Sequence, residues 1–304
     1  MTHSTSKKLK TKKLKATPYH DISSILELDK ADVQVQLQRP TFGKEMLSPH
    51  RGSYYCVLLL TKGAVNHMAN LQYFHAEENA LIFSSPGMIK CWDEPSVDVE
   101  GYSLLFTADF FKTNGHSTTN LSQFPFFQWD ARHFFQAGKK TRKNLEPLFT
   151  KIMQELKDEK LKNDSVIQSY INILLIELER IYAEIINKED RLVPRHVKLA
   201  NEYKCLVSHH FHKNLSVKEY AEMLNVTPNH LNDTVKATIG KTASSLIQEM
   251  TLLEAKVLLR QTQISIAEVA FHLNFEDPSY FGRFFKKLTG MTPFQYRKSN
   301  LGNP

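Results

Sequence analysis

Asn229, Asn232, Asp233 and Lys236 recur at intervals of three and four, so on a helix they share one face, with His230 beside them. Ser279, Gly282, Arg283 and Lys286 repeat that arrangement fifty positions on, with Tyr280 and Lys287 beside them. The chemistry available to such faces is base reading. Asn pairs bidentately with adenine, Arg pairs with guanine, an acid accepts from cytosine N4, and Lys meets phosphate. A DNA major groove admits one helix presenting such a face.

The elements that must position these faces are written twice in the chain. Ser216, Glu219, Ala221, Leu224 and Asn225 return 49 residues later as Ser265, Glu268, Ala270, Leu273 and Asn274. After one inserted residue, Pro228, Leu231, Lys236, Gly240 and Thr242 return 50 later as Pro278, Phe281, Lys286, Gly290 and Thr292. So many coincidences within 27 positions mark a duplicated supersecondary unit. Each unit opens with a capping box, Ser216-x-x-Glu219 or Ser265-x-x-Glu268. Asn225 and Asn274 follow the last apolar residue of that helix, and Asn tolerates the left-handed conformation that ends a helix in a sharp turn. Thr227-Pro228 and Asp277-Pro278 then start a second helix, a capping residue followed by Pro at the first helical position. Leu231 and Val235, or Phe281 and Phe285, are expected to point inward. The unit is therefore helix, tight turn, helix, and the readable face lies on its second helix. Helices are expected near 196–212, 216–224, 228–239, 243–261, 265–273, 278–289 and 293–299.

Residues 196–299 resemble the DNA-binding domain of AraC/XylS-type transcription regulators. The resemblance rests on SVKEYAEMLNVTPNHLNDTVKATIGKT and on SIAEVAFHLNFEDPSYFGRFFKKLTGMTPFQYR, and it covers about a third of the chain. It implies two helix-turn-helix units, 216–240 and 265–290, tied by a linker helix near 243–261. The two recognition helices would enter successive major grooves of double-stranded DNA, and RNA polymerase becomes an implied partner. Two departures stand out. The family usually has Gly at the position of Asn274, and many members carry a basic or neutral residue at that of Asp233. Charge also divides unevenly. Residues 228–240 carry Asp233 and Lys236, whereas 278–290 carry Arg283, Lys286 and Lys287. The second unit is expected to supply more of the electrostatic grip and the first more of the discrimination.

Before position 110 the periodicity is that of strands. VQVQLQ (33–38) alternates strictly, the mark of a half-buried strand, and YYCVLLLTKG (54–63) is a continuous apolar run ended by Gly63, as for a buried strand. LQYFHA, NALIFSSPG and VDVEGYSLLFT continue the series, whose spacing favours a sandwich or barrel. FPFFQWD (124–130) reads as core packing. A helical pattern runs from Arg142 to Lys160, and a second from 165 to 186 with Asp164 as its expected N-cap. In this second helix Ile167, Ile171, Leu174, Leu175, Leu178, Ile181, Tyr182, Ile185 and Ile186 form a broad apolar arc, with Val166, Ile173 and Ile176 outside it. Such an arc suits either a fully buried helix or one shared with a second subunit, which makes a homodimer through 165–186 an expectation. The plan is similar to the cupin-like effector-binding or dimerisation domain that often precedes the DNA-binding part in the family. The expected fold is α+β. A basic flexible tail (1–20) precedes an effector-binding domain (21–190), with a β part to 135 and helices over 140–188. The charged, Pro-containing stretch 187–196 then leads to the DNA-binding domain (196–304).

His50, Arg51, Tyr54, His67, Tyr73 and Trp92 are candidate effector-lining residues by type and by position near strand ends. His50, His67 and His75 do not form an H-x-H ligand set, and no Ser-His-Asp or Gly-rich phosphate motif is evident. The expectation is a non-enzyme without catalytic residues, metal or cofactor. The alternative is a cupin-type enzyme or small-molecule-binding protein with a DNA-binding appendage.

Composition agrees with this reading. The chain carries net charge +7, of which +6 lies in the first twenty residues and +4 beyond 195, leaving −3 for the middle. Positive charge at both ends permits a polyanionic partner. Three cysteines without C-x-x-C spacing suggest neither a disulfide framework nor a zinc site and fit a reducing cytoplasm. The basic N-terminus is not followed by an apolar stretch of signal-peptide type, and no eighteen-residue apolar run occurs.

Overall fold

The computed structural model describes residues 33–38, 46–93, 98–112, 121–128, 131–158, 161–189, 194–260 and 264–300. The basic segment 1–20 and part of the expected boundary, 190–193, lie outside them.

Among the described residues nine strands form two antiparallel sheets. The first, in the order β1-β8-β3-β6-β9, combines β1 (Val33–Gln38), β8 (Glu100–Phe106), β3 (Tyr55–Lys62), β6 (Ala80–Ser84) and β9 (Phe134–Gln136). The second, in the order β2-β7-β4-β5, combines β2 (His50–Arg51), β7 (Ile89–Trp92), β4 (Val65–Ala69) and β5 (Gln72–Ala76). β2, β4 and β9 are among the strands that escape the sequence pattern. β2 and β9 have two and three residues, too few for a period to show. β4 mixes Asn66 and His67 into its run.

The apolar run of β3 is explained by its two faces. Cys56, Leu58 and Leu60 point into the space between the sheets, together with Ile82, Val65, Trp92 and Leu105. Val57 and Leu59 point the other way, against α2 (Lys139–Asp158) and α3 (Asn163–Glu189), with Leu81, Phe83, Leu104, Phe106, Phe149, Ile171 and Leu178. Alternation cannot show in a strand buried on both sides. Gly101 of β8 lies where this packing is tightest, because a Cβ there would come within 2.5 Å of the Leu59 carbonyl oxygen. A short helix, α1 (Ala108–Lys112), follows β8, and Phe124, Phe126 and Phe127 enter the helix-side core as expected of that aromatic stretch.

Helix α3 is not fully buried. Ile167, Ile171, Leu174, Leu175, Leu178 and Tyr182 are covered, whereas Ile173 and Ile176 are 47% and 37% exposed. The helix also starts two residues earlier than expected. Asn163 is already helical and Lys162 before it has φ 59°, so Asp164 sits in the first turn and not at the cap.

From position 195 to 300 the described chain is helical: α4 (Arg195–His210), α5 (Val217–Met223), α6 (Pro228–Ile239), α7 (Ala243–Leu259), α8 (Ile266–His272), α9 (Pro278–Thr289) and α10 (Pro293–Asn300). These bounds fall within about two residues of those expected. Met68 and Ile89 from the four-stranded sheet and Leu71 from its β4–β5 turn join one core with Tyr203, Tyr220, Leu231, Met250 and Leu253 of the helical part. The molecule is therefore layered: helices α2 and α3, the five-stranded sheet, the four-stranded sheet, then the helical units carried by α7.

Candidate nucleic-acid interface

Each helix-turn-helix is built from local bonds that its sequence dictates. Ser216 accepts from the Glu219 amide while Glu219 accepts from the Ser216 amide, and Ser265 with Glu268 does the same. These contacts hold the Glu219 carboxyl below the usual carboxylate range, the Ser216 backbone bond contributing most. At the far end Asn225 and Asn274 have φ 54° and 60°, the left-handed conformation. The Val226 amide donates to the Ala221 carbonyl and the Phe275 amide to that of Ala270, both at 3.0 Å, closing the same Schellman turn twice. Asn274 thus does what Gly usually does in the family. It also donates from Nδ2 to the His212 carbonyl at 2.8 Å, tying the second turn to the segment before the first unit.

The recognition helices start and stop on equally explicit signals. Thr227 Oγ1 accepts from the His230 amide (3.2 Å) and an Asp277 carboxylate oxygen from the Ser279 amide (2.8 Å), and Pro228 and Pro278 follow. Gly240 and Gly290, at φ 77° and 78°, end them. Leu231, Val235, Phe281 and Phe285 are fully buried, so the opposite faces of α6 and α9 are turned outward by the same helical period that fills the core.

On those outward faces Asn229, His230, Asp233 and Lys236 of α6 are exposed, as are Ser279, Tyr280, Arg283, Lys286 and Lys287 of α9. Asn232 is different. It is half-buried, and its Oδ1 accepts from the Ala243 amide at 3.2 Å, so it caps the start of α7. A spacing argument places Asn232 on the reading face but cannot see that the next helix begins beside it. On α9, Arg283 lies 4.0 Å from the Asp277 carboxylate and 5.8 Å from the centre of the Tyr280 ring. Its guanidinium is thereby held at the N-terminal half of the helix. Gly282 sits mid-helix, and a Cβ there would meet nothing within 4 Å. Protein packing therefore does not account for glycine at this position.

The effector candidates divide by strand face. His50 pairs opposite Lys90 across β2–β7, and His67 opposite Trp92 across β4–β7. His50, Tyr54, His67 and Trp92 are all buried between the sheets, and the His67 ring lies 4.1 Å from that of Trp92. Tyr73 is not with them. It lies on the outer face of β5, 64% exposed, and its hydroxyl donates to Glu249 of α7 at 3.3 Å. Arg51 also faces outward and grips the Glu254 carboxylate of α7, Nη1 to Oε1 at 2.9 Å and Nη2 to Oε2, with side-chain exposures of 11% and 2%. Lys241 donates to Glu249, the Tyr73 partner, at 2.6 Å.

Sequence reasoning passed over Lys90. It is 4% exposed, donates to Ser84 Oγ at 3.1 Å, and stands 4.1 Å from the centre of the Tyr54 ring. The signal was the alternation Ile89-Lys90-Cys91-Trp92. Trp92 marks the inner face, so Lys90, two residues before it, must share that face.

A fold of two antiparallel sheets joined to twin helix-turn-helix units on one linker helix defines the class. A family model described as "Helix-turn-helix domain" matches residues 220–299, and one described as "AraC-like ligand binding domain" matches 38–175. The chain belongs to the AraC family of transcription regulators. Among its relatives, the uncharacterized HTH-type transcriptional regulator YisR of Bacillus subtilis (strain 168) is 21% identical over 254 residues, 81% of this chain and 86% of that protein. The lactose operon transcription activator of Staphylococcus xylosus is 23% identical over 51% of this chain and 54% of its own length. The arabinose operon regulatory protein of Escherichia coli (strain K12) is 31% identical over 28% and 29%. The solved C-terminal domain of AraT from Geobacillus stearothermophilus is 29% identical, covering 35% of this chain and 88% of that one, with a TM-score of 0.33.

Proposed function

We propose that this protein reads DNA sequence through α6 and α9 in two adjacent major grooves, and that its sheet domain binds an effector that alters how those helices are presented. The observation that carries the reading is the pair of exposed polar faces on helices whose opposite faces fill the core, both carried on α7. Exposed Asn229, His230, Asp233 and Lys236 form one reader. Ser279, Tyr280, Arg283, Lys286 and Lys287 form the other. Asn232 supports the geometry from behind. The effector domain has no catalytic part in this reading, and the protein acts in the cytoplasm on double-stranded DNA and, by family resemblance, with RNA polymerase.

A homodimer through α3 belongs to the same proposal. Its support is the exposure of Ile173 and Ile176 on a helix whose Ile167, Ile171, Leu174, Leu175, Leu178 and Tyr182 are buried. The test of the whole is selection of bound sequences from a random duplex pool. The expected product has two conserved segments per monomer, about one helical turn apart. Equal affinity for selected and random duplexes at the same salt would instead indicate general DNA compaction.

A further inference from the structure

The space between the sheets holds polar groups that the fold does not satisfy. Lys90 is buried, and among the described residues it has no carboxylate partner. Ser84 takes one of its three donor directions and the Tyr54 ring face another. The Tyr54 hydroxyl is buried with no hydrogen-bond partner. Among the described residues neither ring nitrogen of His67 makes a well-formed hydrogen bond, although the Cys91 backbone lies near it. His50 and His133 also stand near the His67 ring, with Lys90 as the charged group beside it. Burial brings Lys90 down to about 8, which leaves it mostly protonated at neutral pH. Burial pushes His67 well below its ordinary value, with Lys90 adding to the effect, so that ring is neutral.

The cluster thus offers one positive charge, a surplus of hydrogen-bond donors, and apolar walls from Leu58, Val65, Ile82, Trp92 and Leu105. A buried ammonium without a counter-charge is costly, and fold stability gives no reason to keep it. The complement of this surface is a single negative charge with acceptor oxygens and an apolar body. We infer that the site between the sheets takes a small monocarboxylate, with Lys90 pairing its charge and Tyr54 and His67 donating to its oxygens. A dianion such as a phosphate ester would leave one charge unmatched beside neutral rings.

This inference rests on the effector-domain reading above and names the ligand class for it. It also fits the wiring of the strand. His50 and Lys90 form the inner pair of the β2–β7 ladder, and Arg51 with Ile89 forms the next pair. Successive residues of a strand face opposite sides. The ladder that would hold the carboxylate therefore holds α7 on its reverse face.

The experiment uses the full chain and a matched set of probes: acetate, butyrate, benzoate and phenylacetate, each with its primary amide at equal ionic strength. Thermal shift and calorimetry are run on the wild type and on Lys90→Met and Tyr54→Phe. The expected result is saturable stabilisation by at least one acid, an amide at least tenfold weaker, and loss of that preference in Lys90→Met. Lys90→Met itself should melt no lower than the wild type, because it removes an unpaired buried charge. Tyr54→Phe, which keeps the ring under Lys90, should weaken the acid without abolishing it. Equal binding of acid and amide, no saturable acid, or an undiminished preference in Lys90→Met overturns the inference. Duplex binding on the same samples separates the two readings. A protein blind to the acids that still selects a duplex loses only the ligand class. One that binds an acid with the stated preference but no duplex loses the regulator reading.

Discussion

Arg51→Ala tests how the effector domain holds the linker helix. The guanidinium makes two hydrogen bonds to one carboxylate, and the Glu254 side chain is 2% exposed, so solvent does not replace the lost partner. Removing one member of a buried pair costs about 3–5 kcal/mol, most of it the penalty of the charge left behind. Burial raises the Glu254 carboxyl above its ordinary value and Arg51 opposes that rise, so its pKa in the folded variant climbs further. A carboxyl whose folded pKa lies above the unfolded one binds its proton more tightly when folded. Its stabilising effect is full below the unfolded pKa and is lost as pH rises through the folded pKa. The deficit of Arg51→Ala should therefore be about 3 kcal/mol or more at pH 7.5 and should shrink on acidification toward pH 4, where Glu254 becomes neutral. Denaturant unfolding of wild type and variant at both pH values measures it. Hydrogen exchange along Met250–Leu259 shows whether α7 is the part released. Replacing both partners with apolar residues, Arg51→Met with Glu254→Leu, should come back to within about 1–2 kcal/mol of the wild type. A deficit under about 0.5 kcal/mol at pH 7.5, or one that does not change with pH, would refute the latch.

Four further outcomes follow from the helical half and from α3. Asn225→Gly should be neutral or slightly stabilising because Gly adopts φ 54° freely, whereas Asn274→Gly also loses the bond to the His212 carbonyl and should fall about 1 kcal/mol below it in denaturant unfolding. Gly282→Ala should raise stability by up to about 1 kcal/mol, since the added methyl meets nothing in the protein, yet weaken duplex binding if that face approaches DNA; unchanged affinity would remove α9 from the interface. Arg283→Ala should lower the salt dependence of duplex binding by about one phosphate contact and Lys236→Ala by less, as read from log K against log salt; equal slopes would end the division of labour between the two units. Ile173→Glu with Ile176→Glu should leave melting near that of the wild type but shift sedimentation from dimer to monomer, and an unchanged sedimentation profile would take α3 out of the interface.

The twin units were legible because their signals are local. A capping box, an Asn that turns left-handed and a Pro at the first helical position each act within four residues, and the structure forms each of them twice. The failures also have physical causes. Asp164 had the right type for a cap, but the turn at Lys162 starts the helix two residues earlier. Tyr73 had the right type for a ligand pocket, yet strand alternation puts it opposite Met68, on the face that meets the helices. Lys90 was passed over because a lysine is usually a surface residue, and its burial follows from a strand enclosed on both sides.

The sequence by itself determined the α+β plan, the duplicated helix-turn-helix with its caps and turns, and, Asn232 apart, which polar residues of α6 and α9 face outward. All of these follow from periods and contacts a few residues long. Tertiary structure alone decided that one face of β2–β7 looks onto a buried ammonium and the other onto α7. Strand geometry dictates that neighbours such as His50 and Arg51 point opposite ways, but what each meets depends on packing. Arg51 reaches its carboxylate across 203 positions of chain.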